Sequence, residues 1–483
     1  MNDIISLLNL EDDTIEYVGT VIDGIVKTII VEKKLTETYC PICGSRAYSR
    51  GIESRLVNHQ ILQDGYKLYI KVYYRKWKCT NNDCKNGFSD EFSFIDKHSR
   101  TTNMIPYLIT EELRDSNVTL TQVADKFNLS DTHVHNLFMR YVDMKRMPLP
   151  EALCVDEVYM KIRGVCKYAL VLLDFETGEI IDMIPSRLQK DTNAYFKSIP
   201  LTERDNVKYL MCDMYNEYIS YTKKHFNNAI CIVDSFHVIQ WIISKINVYI
   251  NSVKRKFYKQ RMAKLAEQND HSNIFRKNNK RTNEEYILDK FRWIILSNYD
   301  DLKFTSRKYT YKKLNQRLNT EMIEKLFLDI DPRFKKIRDA KEKYIRFNRR
   351  NIGDPIKAKK ELEELIKEYS KSDLEEFNDF SILLKKYKKY IINSFNTVTT
   401  NEINECGETR KIVRRLSNGP IESVNRKPKD LKRAARGFRN FAYVRNRLLW
   451  ITREKSYYSI IPKSEKDIHY HTEKKRGKYK KNK

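Results

Sequence analysis

Hydrophobic and polar residues alternate along residues 66–75. Period-two alternation predicts a β-strand, because successive side chains of a strand point to opposite faces. One face of this strand is apolar, with Tyr66, Leu68, Ile70, Val72 and Tyr74. The other face is basic and aromatic, with Lys67, Tyr69, Lys71, Tyr73 and Arg75. Such a face can either contact a nucleic-acid backbone or be exposed to solvent, and the sequence pattern does not distinguish the two.

A helical period replaces the alternation over residues 104–142. Thr119 and Gln122 form a capping-box pattern before one apolar stripe, and Ser130 can cap a second helix after a short turn. Two short helices across a tight turn predict a helix-turn-helix, with a purely structural helical hairpin as the alternative. The outward positions of the second helix are candidates for reading DNA bases: Thr132, His133, His135, Asn136 and Arg140.

From residue 151 the pattern changes to strands, with three apolar runs, LCVDEVYMKI, CKYALVLLDF and GEIIDMIP, separated by short turns. Helix-like and strand-like stretches then alternate as far as AICIVD, which predicts a mixed sheet of the α+β class. Residues 258–400 are highly charged and helix-prone, and no strand alternation survives there. We interpret them as a helical insertion that splits the strand-rich domain from the chain that follows.

These patterns predict a multidomain α+β protein with seven segments. They are a strand-rich lead at 1–38, a cysteine-bearing domain at 39–98, a helix-turn-helix domain at 99–150, the first part of a mixed-sheet domain at 151–257, the helical insertion at 258–400, the second part of the mixed-sheet domain at 401–455 and a basic tail at 456–483.

The charge of the chain points to a polyanionic partner. Lys and Arg number 91 against 64 Asp and Glu, a formal net charge of +27 over 483 residues. Nucleic acid is the simplest partner for such a surplus, although a biased Lys-, Asn- and Ile-rich composition is an alternative cause. From residue 426 to 447 nine Lys and Arg accompany one acid, Asp430. Candidate DNA contacts in this block are Arg426, Lys432, Arg433, Arg436 and Arg439.

The amino terminus lacks a positive leader followed by an apolar core, and no apolar run approaches the roughly 20 residues that cross a bilayer. We therefore expect an intracellular protein with no membrane partner. Four of the nine cysteines are paired at metal-ligand spacing, Cys40 with Cys43 and Cys79 with Cys84. The CPICG turn is typical of a zinc knuckle, so we predict one structural Zn²⁺ in a ribbon-like domain, with four buried free thiols as the alternative.

Three acidic residues stand out for their surroundings. Asp156 and Asp213 end or interrupt apolar, strand-like runs, and Glu422 lies in a basic, helix-like stretch. Two carboxylates 4 Å apart repel by about 4 kcal/mol at an effective dielectric of 20, so a cluster of three indicates a divalent-cation site. Glu157 is an alternative to Asp156, because strand alternation decides which neighbour faces the site. Asp174 is the other nearby acid and is interpreted as a strand-end residue.

The chain resembles the ISL-three family of bacterial insertion-sequence transposases from Tyr39 to about Arg453. The resemblance rests on the cysteine pairs followed by the helix-turn-helix and on VDEVYMK, CDMYNEY, VDSFHVIQ and SNGPIESVNRKPKDLKRAARGFRNFAYVRNR, the last being the most specific. It implies a ribonuclease-H-like mixed sheet, split by a large α-helical insertion, of the kind found in DDE transposases. Asp156, Asp213 and Glu422 then fall on the family's DDE positions.

The resemblance also implies auxiliary residues and cofactors. It makes Asp234 and His237 neighbours of the site. Lys429, two helical turns after Glu422, would share its helix face and hold a DNA phosphate, but Pro428 between them predicts a kink. Two Mg²⁺ or Mn²⁺ ions would be held by the three carboxylates.

The expected function is that of a DNA transposase of the bacterial cytoplasm, associated with the nucleoid. It would bind the terminal inverted repeats of an insertion sequence, then cut and join double-stranded DNA, acting as a homodimer or larger assembly. The alternatives are a catalytically inert or domesticated sequence-specific DNA-binding regulator and a nuclease without joining activity.

Overall fold

The computed structural model describes residues 2–10, 12–59, 65–97, 99–162, 164–267, 281–403, 409–456 and 458–464. The chain divides into two compact units. Unit 1 comprises residues 1–147, 158–169 and 425–483, and unit 2 comprises residues 148–157 and 170–424. Residues 465–483, most of the predicted basic tail, lie outside the described part of the chain. In the part that is described, no helix combines the length and apolar character needed to cross a membrane.

The first half of unit 1 is a sheet with one short helix. Its elements are α1 (Asn2–Leu7), β1 (Ile15–Asp23), β2 (Val26–Lys33), β3 (Ala47–Asn58), β4 (Lys67–Cys79) and β5 (Gly87–Ser89). The strand order is β1-β2-β4-β3, with β5 paired to β4. The predicted boundary after residue 38 therefore runs through one continuous sheet.

The strand predicted from the alternation at 66–75 is the first part of β4. Its apolar residues Leu68, Ile70 and Val72 are buried in the core of the sheet. On the opposite face, Arg75 donates to Glu32 at 3.1 Å and to the Lys33 carbonyl at 2.9 Å. Arg75 is therefore engaged within the sheet.

The predicted helix-turn-helix is confirmed. Its helices are α2 (Met104–Glu112), α3 (Leu120–Phe127) and α4 (Asp131–Tyr141). Thr119 and Gln122 form the capping box of α3, and the Ser130 hydroxyl accepts from the His133 amide at the start of α4. Between the two helices Asn128 takes a left-handed conformation with φ of 51°, which its short polar side chain tolerates.

Two helices from the carboxyl-terminal block complete unit 1, namely α16 (Arg426–Ala434) and α17 (Phe441–Thr452). The fully buried Trp450 donates its indole N–H to the Thr110 carbonyl at 2.8 Å, and the Arg114 guanidinium stacks 3.9 Å from the Trp450 ring. Arg447 donates to the Asp115 carbonyl at 3.0 Å. The end of the basic block thus packs in the core of the helix-turn-helix, so not all of its cations are available to DNA.

Unit 2 is built on a mixed sheet with the order β10-β9-β6-β7-β8. Its strands are β6 (Ala152–Ile162), β7 (Cys166–Asp174), β8 (Ile180–Ile184), β9 (Tyr209–Cys212) and β10 (Ile230–Val233), of which β6 and β7 also extend into unit 1. The pairs β6·β9 and β9·β10 are parallel, whereas β7·β8 is antiparallel. The helices between β8 and β10 are α5 (Gln189–Ser198), α6 (Leu201–Asp205) and α7 (Asn216–Lys224). The predicted mixed sheet is present.

Helices of 4 to 33 residues follow the sheet. They are α8 (Ser235–Glu267), α9 (Asn283–Lys290), α10 (Trp293–Leu296), α11 (Thr320–Leu328), α12 (Arg333–Arg350), α13 (Pro355–Ser370) and α14 (Glu375–Asn393). Among them lies a hairpin of β11 (Tyr309–Tyr311) and β12 (Gln316–Leu318). A second hairpin, β13 (Thr397–Ile403) with β14 (Thr409–Arg415), leads to α15 (Gly419–Val424). The expectation of helices alone was wrong at β11 and β12, because three-residue strands are too short to show alternation.

Candidate active site

Three aspartates follow matching positions of three neighbouring strands. Val155 of β6 and Val233 of β10 are both in register with Cys212 of β9, and all three strands are parallel there. The next residues along the chain are Asp156, Asp234 and Asp213. Because adjacent strands lie about 4.8 Å apart, this register gathers three carboxyl groups at one edge of the sheet. The apolar runs that precede each aspartate are the buried strands themselves.

Glu422 approaches Asp213 through a shared histidine. The His237 Nε2 atom lies 2.9 Å from Asp213 Oδ1 and 3.3 Å from Glu422 Oε1. The two carboxylate oxygens are therefore separated by no more than the sum of these two distances. Glu422 lies on α15 and His237 in the first turn of α8, so the structure brings together residues that are far apart in sequence.

The electrostatics of this cluster follow from its carboxylates. The hydrogen bond to Asp213 raises the pKa of His237 to about 9, which makes its imidazole a cation at neutral pH. Burial raises the pKa of Glu422, and the negative charge of Asp234 adds to that effect. Perturbed groups gathered at a sheet edge are typical of functional sites.

Asp234 is the most deeply placed of these acids. Its relative exposure is 2%, and burial raises the pKa of its carboxyl group. Its Oδ1 accepts from the Phe236 amide at 3.2 Å, but within the described residues its Oδ2 has no hydrogen-bond donor. Oxygen atoms of Asp234 and Glu422 and a nitrogen of His237 lie within 4.8 Å of one another, a spacing that suits metal ligands once the His237 ring has lost its extra proton. A buried carboxylate oxygen without a donor fits a bound cation.

The hydrogen bonds of the nearby acids indicate whether Asp156 or Glu157 faces the site. The Asp156 Oδ1 atom accepts from the Glu157 amide at 2.7 Å. The Glu157 carboxylate is occupied elsewhere, since it accepts from Arg187 at 2.6 Å and from the Tyr218 hydroxyl at 2.7 Å. Asp174 accepts from the Glu176 amide at 2.9 Å in the turn after β7. These contacts favour Asp156 over Glu157 and agree with a strand-end role for Asp174.

Asn418 is a site residue that sequence reasoning missed. Its side chain is fully buried, and its amide donates to the Val155 carbonyl at 3.2 Å and to Asp213 Oδ1 at 3.4 Å. It thus links β6, at the residue before Asp156, to the carboxylate after β9. The only signal in the sequence was its place in SNGPIES, four residues before Glu422.

The four predicted zinc ligands converge. A sulfur atom of each of Cys40, Cys43, Cys79 and Cys84 lies within 4.8 Å of the others. The Cys43 and Cys79 sulfurs are 3.4 Å apart and those of Cys40 and Cys84 are 3.8 Å apart. Tetrahedral zinc with Zn–S bonds of about 2.3 Å separates its sulfurs by roughly 3.8 Å, so the cluster fits the ion. Hydrogen bonds from Ser45 lower the pKa of Cys43 to about 6, which favours the thiolate that binds metal.

The candidate DNA contacts of α4 differ in exposure. Thr132 and His133 are exposed, whereas His135, Asn136 and Arg140 are half-buried. The His135 ring lies 5.0 Å from the Tyr443 ring of α17, and Arg140 donates to the Lys463 carbonyl at 3.3 Å. The exposed amino-terminal turn of α4 is therefore the part of this helix most open to a base edge.

The basic block begins after a break in the helix. α15 ends at Val424 and α16 begins at Arg426, so Pro428 lies in the first turn of α16, where its missing N–H costs nothing. Glu422 and Lys429 therefore lie on two different helices, so they do not share one helix face as the spacing predicted. Of the other candidates, Arg426, Arg436 and Arg439 are exposed, Arg433 is exposed and pairs with Asp430, and Lys432 lies 4.4 Å from the Tyr159 ring.

Comparison with known families identifies the class of protein. A model described as a transposase matches residues 153–411 and 406–448, and a model described as the helix-turn-helix domain of transposase family ISL3 matches residues 91–142. The chain belongs to the ISL3 family of insertion-sequence transposases, and the resemblance of its motifs is confirmed. The family implies DNA as the partner. No curated protein matches the chain significantly.

Proposed function

We propose that this protein binds the terminal inverted repeats of its insertion sequence and, with divalent cations, cuts the DNA strands and joins them to a target. The observation that carries the proposal is the cluster in which the Asp213 and Glu422 carboxylates both contact His237 Nε2. Asp156 lies on the neighbouring strand, because Val155 is in register with Cys212 and each is followed by its aspartate. Oxygen ligands from acids suit Mg²⁺ or Mn²⁺. The fold that presents them is proposed to be ribonuclease-H-like.

Asp156, Asp213 and Glu422 would hold two Mg²⁺ or Mn²⁺ ions. Bound divalent cations lower the pKa of water and stabilise the charge that develops on the attacking and leaving oxygens of a phosphodiester. The chain's own contribution is position: β6 and β9 fix the two aspartates, Asn418 ties Asp213 to β6, and His237 keeps Asp213 and Glu422 together. Asp234 adds a buried negative charge that favours a cation at this edge.

DNA recognition would fall to unit 1. The helix-turn-helix offers Thr132 and His133 of α4, and the basic block adds exposed cations at Arg426, Lys429, Arg436 and Arg439. The four-cysteine cluster would hold one Zn²⁺ in a ribbon-like domain and make that part of the fold rigid. Bringing two element ends together requires at least two copies of the chain, so we propose a dimer or larger assembly in the DNA complex.

The direct test is cleavage of duplex DNA that carries the inverted repeats flanking the gene. Wild-type protein should cut and join these ends with Mg²⁺ or Mn²⁺. Asp156→Asn, Asp213→Asn and Glu422→Gln should each lower the rate by about 10³-fold or more, since several kcal/mol of charge stabilisation is lost, while DNA binding persists. Asp174→Asn is the matched control and should keep full activity.

The same assay decides between the proposed function and its alternatives. Absence of any product from wild-type protein on its cognate ends would contradict the proposal and leave the DNA-binding regulator. Cut strands without joined products would indicate a nuclease that lacks strand transfer. The carboxylate cluster favours an enzyme, because the buried Asp234 Oδ2 atom, which has no donor among the described residues, lies beside Glu422 and His237 where a cation would satisfy it.

A further inference from the structure

Several lysines of the insertion pair with carboxylates of neighbouring elements. Lys336 pairs with Asp373 at 2.5 Å and Lys388 with Glu363 at 2.9 Å, and Lys343 pairs with Glu368. Two of these pairs connect neighbouring helices among α12, α13 and α14, and Asp373 lies between α13 and α14. Exposed pairs of this kind contribute at most about 1 kcal/mol each, and in them a carboxylate already offsets the charge of the lysine.

One segment of the insertion carries cations without any acid of its own. Residues 303–318, which we call the basic hairpin, contain β11 and β12 and carry no acidic residue. Its six cations are Lys303, Arg307, Lys308, Lys312, Lys313 and Arg317, and all six are exposed. None of them forms an ion pair with any carboxylate in the described part of the chain. The acids that precede the hairpin, Asp300 and Asp301, pair with Arg349.

The basic hairpin is held in a defined shape. Tyr309 pairs with Leu318 and Tyr311 with Gln316, and Asn315 takes a left-handed conformation with φ of 51° in the turn between the strands. The Tyr311 ring packs at 5.0 Å, edge to face, against Phe291, and Leu318 is 1% exposed. The insertion core thus supports a small ordered platform, in contrast to a charged solvated loop.

The composition of this platform fits a nucleic-acid backbone. Like charges crowded without partners repel one another, and phosphates relieve that repulsion while releasing their counterions. The Tyr309 ring is 53% exposed, with the Arg307 guanidinium 5.3 Å from its centre. Lys and Arg contacts to phosphate position a protein on DNA without reading sequence.

We propose that the basic hairpin is a contact for the phosphate backbone of double-stranded DNA, which gives the insertion a direct part in holding the substrate. The proposal rests on the proposed function in that DNA is the substrate. It adds a DNA contact in unit 2, the unit that also contains the carboxylate cluster.

The test compares two variants with the same change in net charge. Lys308→Gln/Lys312→Gln/Lys313→Gln removes cations of the hairpin, and Lys336→Gln/Lys343→Gln/Lys388→Gln removes cations that already have carboxylate partners. Duplex DNA affinity is measured against salt concentration for wild type and both variants. Each lost phosphate contact lowers the slope of log K against log salt by roughly 0.9, so the hairpin variant should lose up to about 2.7. The control variant should keep the wild-type slope.

Several results would overturn the inference. Equal losses in both variants would mean that only bulk charge matters, and an unchanged slope in the hairpin variant would mean that the hairpin does not touch DNA. Weaker binding of single strands alone, with duplex binding intact, would assign the hairpin to another ligand. Thermal melting of both variants verifies that they are folded.

The outcome is separable from that of the proposed function. If wild-type protein cleaves its ends but the hairpin variant keeps the full salt slope, the inference fails and the transposase remains. If wild-type protein cleaves nothing but the hairpin variant loses salt slope, the transposase proposal fails and the DNA contact remains.

Discussion

The cysteine cluster of unit 1 and the carboxylate cluster of unit 2 are two candidate metal sites built in opposite ways. The four sulfurs come from two turns, each close in sequence, and form a closed set within 4.8 Å of one another. The carboxylates come from the middle of β6, from the ends of β9 and β10 and from a distant helix, and a cationic histidine lies among them. A closed set of protein ligands is typical of a structural ion, whereas a reactive ion needs ligand positions left open for water or substrate.

The contrast teaches how each cluster relates to folding. Four thiolates cannot be gathered without a cation, so zinc binding and folding of that region should be one event. The carboxylates are placed by buried strands and by hydrogen bonds from Asn418 and His237, so this site should fold without its ions. Metal removal should therefore unfold the region around the cysteine cluster, whereas the carboxylate cluster should lose its activity and keep its fold.

The largest effect is expected at the cysteine cluster. Cys79→Ser should lower the zinc content from about one per chain to near zero and unfold the surrounding turns, since structural zinc contributes about 10–16 kcal/mol in small zinc domains. Metal analysis and hydrogen exchange of residues 40–89 measure this. Cys166→Ser, which removes a half-buried cysteine of β7, should keep the zinc. Full zinc content and native exchange in Cys79→Ser would remove the distinction between the two clusters.

The second effect separates activity from stability at the carboxylate cluster. Asp234→Asn keeps the shape of the side chain but removes its negative charge. Burying that charge destabilises the fold, which is why burial raises the pKa of the Asp234 carboxyl group. DNA cleavage should fall by about tenfold or more, while the free energy of unfolding should rise by about 1 kcal/mol. Urea unfolding and cleavage rates are measured on the same preparation. Loss of both activity and stability would show that Asp234 supports the fold.

The third effect is a loss of stability of unit 1 at low pH. His59 is buried, and its Nε2–H donates to the Leu8 carbonyl at 2.8 Å while its Nδ1 lies 2.9 Å from the Thr102 hydroxyl. Burial lowers the pKa of His59 to about 4 from its ordinary value of 6.5. Folding therefore favours the neutral ring, and the stability that it contributes is present above pH 6.5 and is lost as the pH falls towards 4. The loss should reach about 3 kcal/mol.

Hydrogen-exchange rates in β4 and in β9, corrected for the intrinsic effect of pH on exchange, show which unit loses stability in acid. Between pH 7 and pH 4.5 the protection of β4 should fall, and His59→Gln should flatten that dependence. The protection of β9 should not depend on His59. An identical pH dependence in wild type and His59→Gln would mean that the ring does not control the stability of the sheet.

Much of this architecture was open to prediction because it depends on local patterns. Alternation predicted β4, the capping box at Thr119 predicted α3, and the cysteine spacing predicted a cluster that does form. What could not be predicted depends on contacts between distant residues. Nothing in the sequence distinguishes Asn418 from other polar residues, and its role follows only from the register that sets Val155 beside Cys212.

The fourth prediction tests this distant contact. Asn418→Ala removes the donor to Asp213 and to the Val155 carbonyl, so the Asp213 carboxylate should lose its fixed position. Loss of a group that orients a metal ligand typically costs about 10–100-fold in metal affinity or activity. We expect cleavage to fall within that range and the Mg²⁺ concentration for half-maximal cleavage to rise. Titration of cleavage with Mg²⁺ measures both.

A second asparagine separates positioning from general stability. Asn396 is half-buried in unit 2 and donates to the Asn393 carbonyl at 2.9 Å, so Asn396→Ala also removes a side-chain hydrogen bond. Each variant should lose about 1 kcal/mol of unfolding free energy, give or take a factor of two. Only Asn418→Ala should change the Mg²⁺ dependence, because only Asn418 contacts a proposed ligand. If both variants shift it equally, the carboxylate cluster responds to stability alone, and its independence from folding does not hold.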